Sequence, residues 1–291
     1  MDGVAWAFVT AVAYGVTQII NRKANRLVDA YRTAFGLLVG VEAVLVTRAI
    51  VLGRMGLLAE IPLRAALTFA LTTLFHFSVG WTLLAWSQQQ IGVARTGALV
   101  SAAPLVGSIL AAVFLDEALT PEMAAGVVVA VLGVALVSLS GSRELGIPWR
   151  RSWAAFAVAT IWGTTPLLIR IGLRDFDHPV EGLTVGMAIS LSLHLIVLAA
   201  TRILRRGPIP PVAMRWLVAG GLTGAVGISA QWLSFALAKV AVAITIQQLA
   251  ALVVIGLAPL TFREPFERMN TRLVIGTVAM LAGTALVTLN G

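Results

Sequence analysis

The chain has 291 residues, 59% of them hydrophobic and only 12% charged, with a mean hydropathy of +0.94; water-soluble domains carry about 25% charged residues, so a soluble fold is excluded. It contains no cysteine, which removes disulfides, thiolate chemistry and cysteine-held metals. The formal charge is +8, but the Arg and Lys residues gather near the ends of apolar runs, where anionic lipid headgroups rather than nucleic acid are their partners.

Ten apolar segments are predicted to be membrane-crossing helices, at 4–21, 32–52, 66–86, 93–115, 121–141, 152–172, 182–203, 214–237, 241–262 and 271–289. Each is long enough to cross a hydrocarbon core of about 30 Å. The connections are too short for a soluble domain. The first segment follows Met1-Asp2-Gly3 without a basic stretch, and it reads as a retained helix rather than a signal peptide.

Polar residues inside such segments are costly, and each is a candidate for function. In segment 1, Tyr14 and Gln18 stand one turn apart and share a face. Segment 2 carries Gly36-x-x-x-Gly40, which permits close helix approach. It also carries Glu42, which alone among the thirteen acidic residues lies well inside a span. Its expected role is proton coupling, or a counter-charge for a cationic cargo; the bland alternative is a structural partner for an arginine. His76 in segment 3 shares a face with Thr72, Thr73 and Gly80, and can meet a substrate carboxylate or relay a proton. Trp81 follows it. Between segments 3 and 4 lie Gln88-Gln89-Gln90 and Arg95, the latter readily explained by snorkelling.

Segment 4 holds Ser101 and Pro104 and closes on Leu115-Asp116-Glu117; Thr120-Pro121-Glu122 then starts segment 5, with threonine as N-cap. Glu117 accordingly reads as a turn and cap residue. Segment 6 carries Trp162-Gly163 and Pro166, and the prolines at 104, 166 and 259 are each expected to bend or break a helix. Segment 7 has His194 beside Ser190 and Ser192, a weaker candidate because serines bridge helices structurally. Gln231 lies in segment 8, and Gln247 and Gln248 in segment 9.

The second half repeats the first. Gly133-Val134-Ala135-Leu136-Val137-Ser138-Leu139 returns as Gly283-Thr284-Ala285-Leu286-Val287-Thr288-Leu289. A shift of 147 residues carries Glu117 onto Glu264, Ser101 onto Gln248 and Gly80 onto Gly227, and Trp162 takes the place of Tyr14. Five spans per copy would invert the second copy, dividing the chain into 1–147 and 148–291. Inverted repeats of this kind place substrate at their interface near the bilayer midplane. Aromatics at the paired positions suit stacking on cargo or cation–π contact with an amine.

An even number of spans puts both termini on one side. Counting residues in the connections together with those at the adjoining span ends, fifteen of the 21 basic residues group with odd-numbered connections and six with even ones, which by the positive-inside rule places the termini outside.

Aromatic-Gly in the first helix, a Pro-bearing fourth helix closing on Leu-x-Glu, and a fifth ending in Gly-x-Ala-Leu-Val together resemble the drug/metabolite transporter superfamily, in its ten-helix EamA-type branch. The second half departs from that pattern, with Ala251 where Pro104 would repeat and Arg263 before the glutamate. The resemblance implies an all-α membrane protein of ten helices as two inverted five-helix repeats around a central cavity. Helices 1–4 and 6–9 would surround the cavity, with 5 and 10 at the periphery. It also implies export of amino acids, small metabolites or drugs, commonly by proton exchange, from the bacterial inner membrane. Family members mostly keep both termini in the cytoplasm, against the charge count.

The expected function is therefore a secondary exporter of amino acids or similar metabolites by alternating access. Its substrate-binding candidates are Tyr14, Gln18, His76, Trp81, Ser101, Trp162, Gln231, Gln247 and Gln248, with Glu42 and His76 for proton coupling. An exporter of organic cations or drugs, leaning on Glu42 and the aromatics, is the alternative. A membrane scaffold or an intramembrane enzyme is remote: there is no His-Glu-x-x-His, Gly-x-Ser-x-Gly or Walker A loop. No cofactor or metal is expected, and the sequence leaves the oligomeric state open, with a monomer plausible. The partners are a small-molecule substrate and membrane lipid, with no nucleic acid.

Overall fold

The structure is a computed structural model that describes residues 2–91, 93–139, 151–201, 209–261 and 271–291. Glu264, with Phe262 and Arg263, falls outside them, as do the side chains of Gln88, Gln89 and Arg95. The α-helices among the described residues are α1 Gly3–Asn25, α2 Ala30–Val51, α3 Met55–Ala59, α4 Leu63–Thr73, α5 Gly80–Ile91, α6 Val93–Val100, α7 Ala103–Phe114, α8 Pro121–Leu139, α9 Trp153–Asp175, α10 Pro179–Thr201, α11 Pro211–Leu237, α12 Val240–Gln247, α13 Ala250–Thr261 and α14 Thr271–Leu289. Among the described residues, eight helical stretches are long and apolar enough to cross a membrane, with shorter apolar helices at Pro121–Val137 and Val240–Val254. The chain is an integral membrane protein.

Local chemistry starts these helices. The Asp2 carboxylate accepts from Ala5 N at 2.8 Å, Asp29 does the same for Arg32 N at 3.0 Å, and Thr120 Oγ1 accepts from Met123 N at 3.2 Å. Pro121 takes the position where a missing N–H costs nothing.

Three irregularities set the interior. Between α4 and α5 the helix widens to a π turn over Leu74–Val79, which frees backbone carbonyls in the middle of the span. Between α6 and α7 the chain tightens at Ser101-Ala102, where Ala102 N bonds Leu99 O at 3.2 Å. Pro104 sits in the first turn after that break, as expected. Between α12 and α13 the same tightening occurs at Gln248-Leu249, where Gln248 N bonds Thr245 O at 3.1 Å. This break has no proline, so the second half holds its kink by short-range backbone bonds alone. Pro166, in contrast, leaves α9 continuous. Its missing N–H orphans one carbonyl, and the surrounding helices hold the rest of the ladder in place.

Packing follows the small residues. Helix α1 runs along α11 and meets α12 and α13; α2 lies between α10 and α11; α4 packs on α9 and α10; α7 on α9 and α12; and α8 against α14. Gly40 of α2 faces Gly221 of α11, so the Gly36-x-x-x-Gly40 pattern brings these two backbones together. Phe69 inserts its ring between Gly172 of α9 and Gly182 of α10 and tilts against Trp232, with centroids 5.2 Å apart. These rings, with Phe235 and Val240, fill the end of the molecule where Gly3 meets Leu237 and Ala238, and where Gly291 meets Val242. Both chain ends therefore lie at this face, called the terminal face below.

Candidate functional site

The two aromatic-glycine pairs are built alike. The Tyr14 ring rests on Gly227, where a Cβ would come within 2.7 Å of the ring, and the adjoining Gly15 lies against Ala250 O and Val253. The Trp162 ring rests on Gly80, where a Cβ would come within 2.8 Å of Nε1, and Gly163 lies against Ala103 O and Val106. Each aromatic thus occupies a groove that a glycine leaves open. Each following glycine seats its helix on the first turn after a break, α13 in one case and α7 in the other.

Tyr14 begins a chain of hydrogen bonds. Its hydroxyl donates to Gln231 Oε1 at 2.9 Å, Gln231 Nε2 donates to Gln247 Oε1 at 3.0 Å, and Gln247 Nε2 donates to Ser234 Oγ at 3.0 Å. Ser234 closes the run by donating to Gln231 O at 2.7 Å. The chain joins α1, α11 and α12 just before the Gln248 break. Each amide keeps one further N–H, so the cluster retains donors after its internal bonds are made.

A second cluster surrounds His76 in the π turn. His76 Nδ1 lies 3.0 Å from Thr165 Oγ1, its ring stacks on Trp162 with centroids 5.5 Å apart, and Trp162 Nε1 donates to His76 O at 3.3 Å. The π turn supplies that free carbonyl. Trp81 meets Phe77 edge-on, with centroids 5.7 Å apart, at the border of the central core.

Glu42 is 9% exposed and makes no ion pair among the described residues; its Oε2 is sealed and has no hydrogen-bond partner. Among the described residues no arginine partners it. Arg48 of α2 pairs instead with Glu181 of α10 at 3.0 Å.

The remaining candidates fall apart from these groups. Gln18 is exposed, although Ala7 and Ala11 on the same face of α1 are buried. Ser101 turns back to donate to Ala98 O at 2.7 Å and approaches Val131 O of α8 at 3.4 Å. Gln248 is half-buried and stands at its own break. The structure places Ser101 and Gln248 at matching breaks but does not join their side chains to either cluster. His194 meets Ser78 Oγ at 2.9 Å, a bridge between α10 and the π turn.

Sequence reasoning missed Thr165, Ser234 and Arg170. Arg170 donates to Glu117 Oε1 at 3.1 Å, Ala236 O at 3.0 Å and Ala238 O at 3.0 Å, while Glu117 Oε2 accepts from Val240 N at 2.7 Å. Glu117 is thus a cap, as expected, but for a helix 123 positions away. The signal available was that Arg170 lies inside a predicted span rather than in a loop.

The EamA-like transporter family matches residues 1–139 and again 151–289. The chain belongs to this family. The family is part of the drug/metabolite transporter superfamily. A probable terminal-alkyne amino-acid exporter of Streptantibioticus cattleyicolor is 32% identical over 93 residues, which span 30% of this chain and 31% of that relative. A solved crystal structure shares the fold with a TM-score of 0.83 at 15% identity, covering 99% of this chain and 96% of the other.

Proposed function

We propose that this EamA-family protein exports amino acids or closely related small metabolites across a bacterial inner membrane by alternating access. Its two halves, 1–147 and 148–291, act as inverted five-helix repeats about a central site. The observation that carries this reading is the pair of helix breaks at Ser101-Ala102 and Gln248-Leu249, each flanked by an aromatic-glycine pair from the other side of the repeat. Discontinuous helices at corresponding positions of two halves are where secondary transporters bind cargo. The Tyr14–Gln231–Gln247 donors suit a carboxylate, and Trp162 and His76 suit the other end of an amino acid. The name of the Streptantibioticus relative agrees with that cargo class.

Glu42 is the proton-coupling group in this reading. A carboxylate with a sealed oxygen and no cationic partner among the described residues stays in a membrane interior when it exchanges a proton during the cycle. The same feature favours the second reading, an exporter of organic cations, in which Glu42 meets the cargo's charge.

Proteoliposomes with a panel of labelled amino acids and organic cations, with and without a pH gradient, separate the two. Gln247→Leu breaks the hydrogen-bond chain at its centre, and its amino-acid flux is expected to fall roughly tenfold at sub-saturating cargo, the loss of one charge-assisted contact. Glu42→Gln is expected to keep exchange of cargo down its own gradient and to lose acceleration by a pH gradient. Gradient-driven flux surviving in Glu42→Gln removes the coupling role, and a broad panel in which nothing moves removes the exporter reading.

A further inference from the structure

A cavity of about 280 Å³ opens on the terminal face, beside the Arg170–Glu117 pair. Leu115 and Glu117 line it from the first half of the chain, and Arg170, Arg174, Asp177 and Ala236 from the second. Two of these charges satisfy each other. Arg170 donates to Glu117 Oε1 at 3.1 Å, and the other Glu117 oxygen accepts from Val240 N at 2.7 Å. The backbone aims Glu117 this way. Asp116 takes a left-handed conformation with φ of 55°, which aspartate tolerates better than most residues, and Glu117 N returns to Ala111 O at 3.3 Å.

The other two charges have no protein partner. Arg174 stands one turn after Arg170 on α9 and shares its face. Asp177 follows three positions later, where a continuing helix would bring it against Arg174. The helix does not continue. Phe176 is extended, with φ of −153° and ψ of 93°, its ring is buried, and His178 N closes on Phe176 O at 2.9 Å. That turn carries Asp177 off the helical path. Asp175, the nearer carboxylate, is engaged by Arg64 of α4 at 3.3 Å. Among the described residues, neither Arg174 nor Asp177 makes a hydrogen bond or an ion pair.

We propose that this cavity is a second binding site, distinct from the Tyr14 and His76 clusters, for a small α-amino acid whose carboxylate meets Arg174 and whose ammonium meets Asp177. One unpaired cation and one unpaired anion on the same small cavity match a zwitterion, and a solute with a single charge leaves one of them unanswered. The volume lies below the roughly 300 Å³ at which pockets for drug-sized ligands begin, so the occupant is small. Residues of both halves hold it. A filled cavity therefore favours the state in which the terminal face is shut, by the difference in its affinity for the two states. That consequence rests on the alternating-access reading, under which amino acid on the terminal-face side slows opening there; the binding itself does not depend on it.

The cysteine-free chain allows a local test on the full protein in lipid nanodiscs. Ala236→Cys places a single thiol on the cavity wall, at a half-buried position that a hydrophilic maleimide reaches. Free L-alanine is expected to slow labelling, with half-maximal protection at about tenfold lower concentration than acetate or methylamine, which each present one charge. Arg174→Gln and Asp177→Asn, both at exposed positions, are each expected to raise that concentration about tenfold in the Ala236→Cys chain. Gln247→Leu, which damages the central cluster, should leave it unchanged. Acetate protecting as well as alanine overturns the zwitterion assignment, and protection that survives both charge variants overturns the site. Protection lost in Gln247→Leu but kept in Arg174→Gln means that the thiol reports cargo at the central cluster, which overturns it as well. If the unmodified chain moves no solute in proteoliposomes, the transport reading fails, and thiol protection still decides whether the cavity binds an amino acid.

Discussion

Gly283→Val is expected to stop α14 from seating on α8 and to leave little monodisperse protein after detergent extraction. A Cβ at Gly283 would lie 2.6 Å from Gly126 O and 2.8 Å from Ala130 Cα, and one at Gly133 would lie 2.7 Å from Gly276 O and 2.8 Å from Met280 Cα. These are backbone atoms of a facing helix and cannot swing aside as a side chain does. The two helices must separate, and each loses close contact along its length, where van der Waals packing is the main association force in lipid. Overpacking costs about 1–3 kcal/mol where side chains can shift and more where backbones collide. Gly256→Val is the matched control: its Cβ meets nothing within 4 Å, so extraction and thermal stability should stay near those of the unmodified chain. Size-exclusion profiles and melting curves of the two variants check the claim, and equal behaviour of both would refute it.

The same residues show how much was legible in the sequence. The repeated Gly-x-Ala-Leu-Val ending marked α8 and α14, and the structure gives its glycines a shared purpose as the surface where the two helices meet. The last predicted span, 271–289, has the bounds of α14. Apolar segments written as single spans at 93–115 and 241–262 turned out interrupted. Hydropathy averages over a break, and the second break is made of short backbone bonds that no residue type announces. Tyr14 stands out in the sequence as an aromatic at a repeat-paired position, and Gln231 and Gln247 as glutamines inside apolar spans. That they partner one another depends on α1 lying along α11, a fact of tertiary packing. Thr165 was invisible for the opposite reason: threonine is common in membrane helices, and only its distance to His76 distinguishes it.

Arg170→Ala is expected to shift the protein toward opening at the terminal face. In the structure that face is closed twice, by the apolar layer of Phe69, Trp232 and Phe235, and outside it by Arg170 and Glu117. The polar pair ties the end of α7, the last turns of α9 and the α11–α12 junction, so it joins residues of both halves. On the proposed alternating-access mechanism, rocking the halves apart at this face requires those bonds to break together, and the pair would belong to one state of that cycle only. An interaction present in one state biases the equilibrium by its differential strength. Arg170 is partly exposed, so solvent screens the ion pair, and a change of about 1–2 kcal/mol is expected, or roughly a five- to thirtyfold shift in population. The cysteine-free chain allows a direct reading. Ala243→Cys places a thiol one turn from Gln247 beneath this layer, at a fully buried position, and Ala130→Cys places one in the α8–α14 contact. Arg170→Ala should raise labelling of Cys at 243 by an impermeant maleimide applied from the terminal face, and leave Cys at 130 unlabelled. Equal labelling at both positions means that the variant unfolds and that the pair is only a structural tie. Unchanged labelling at 243 means that the apolar layer alone holds the face shut.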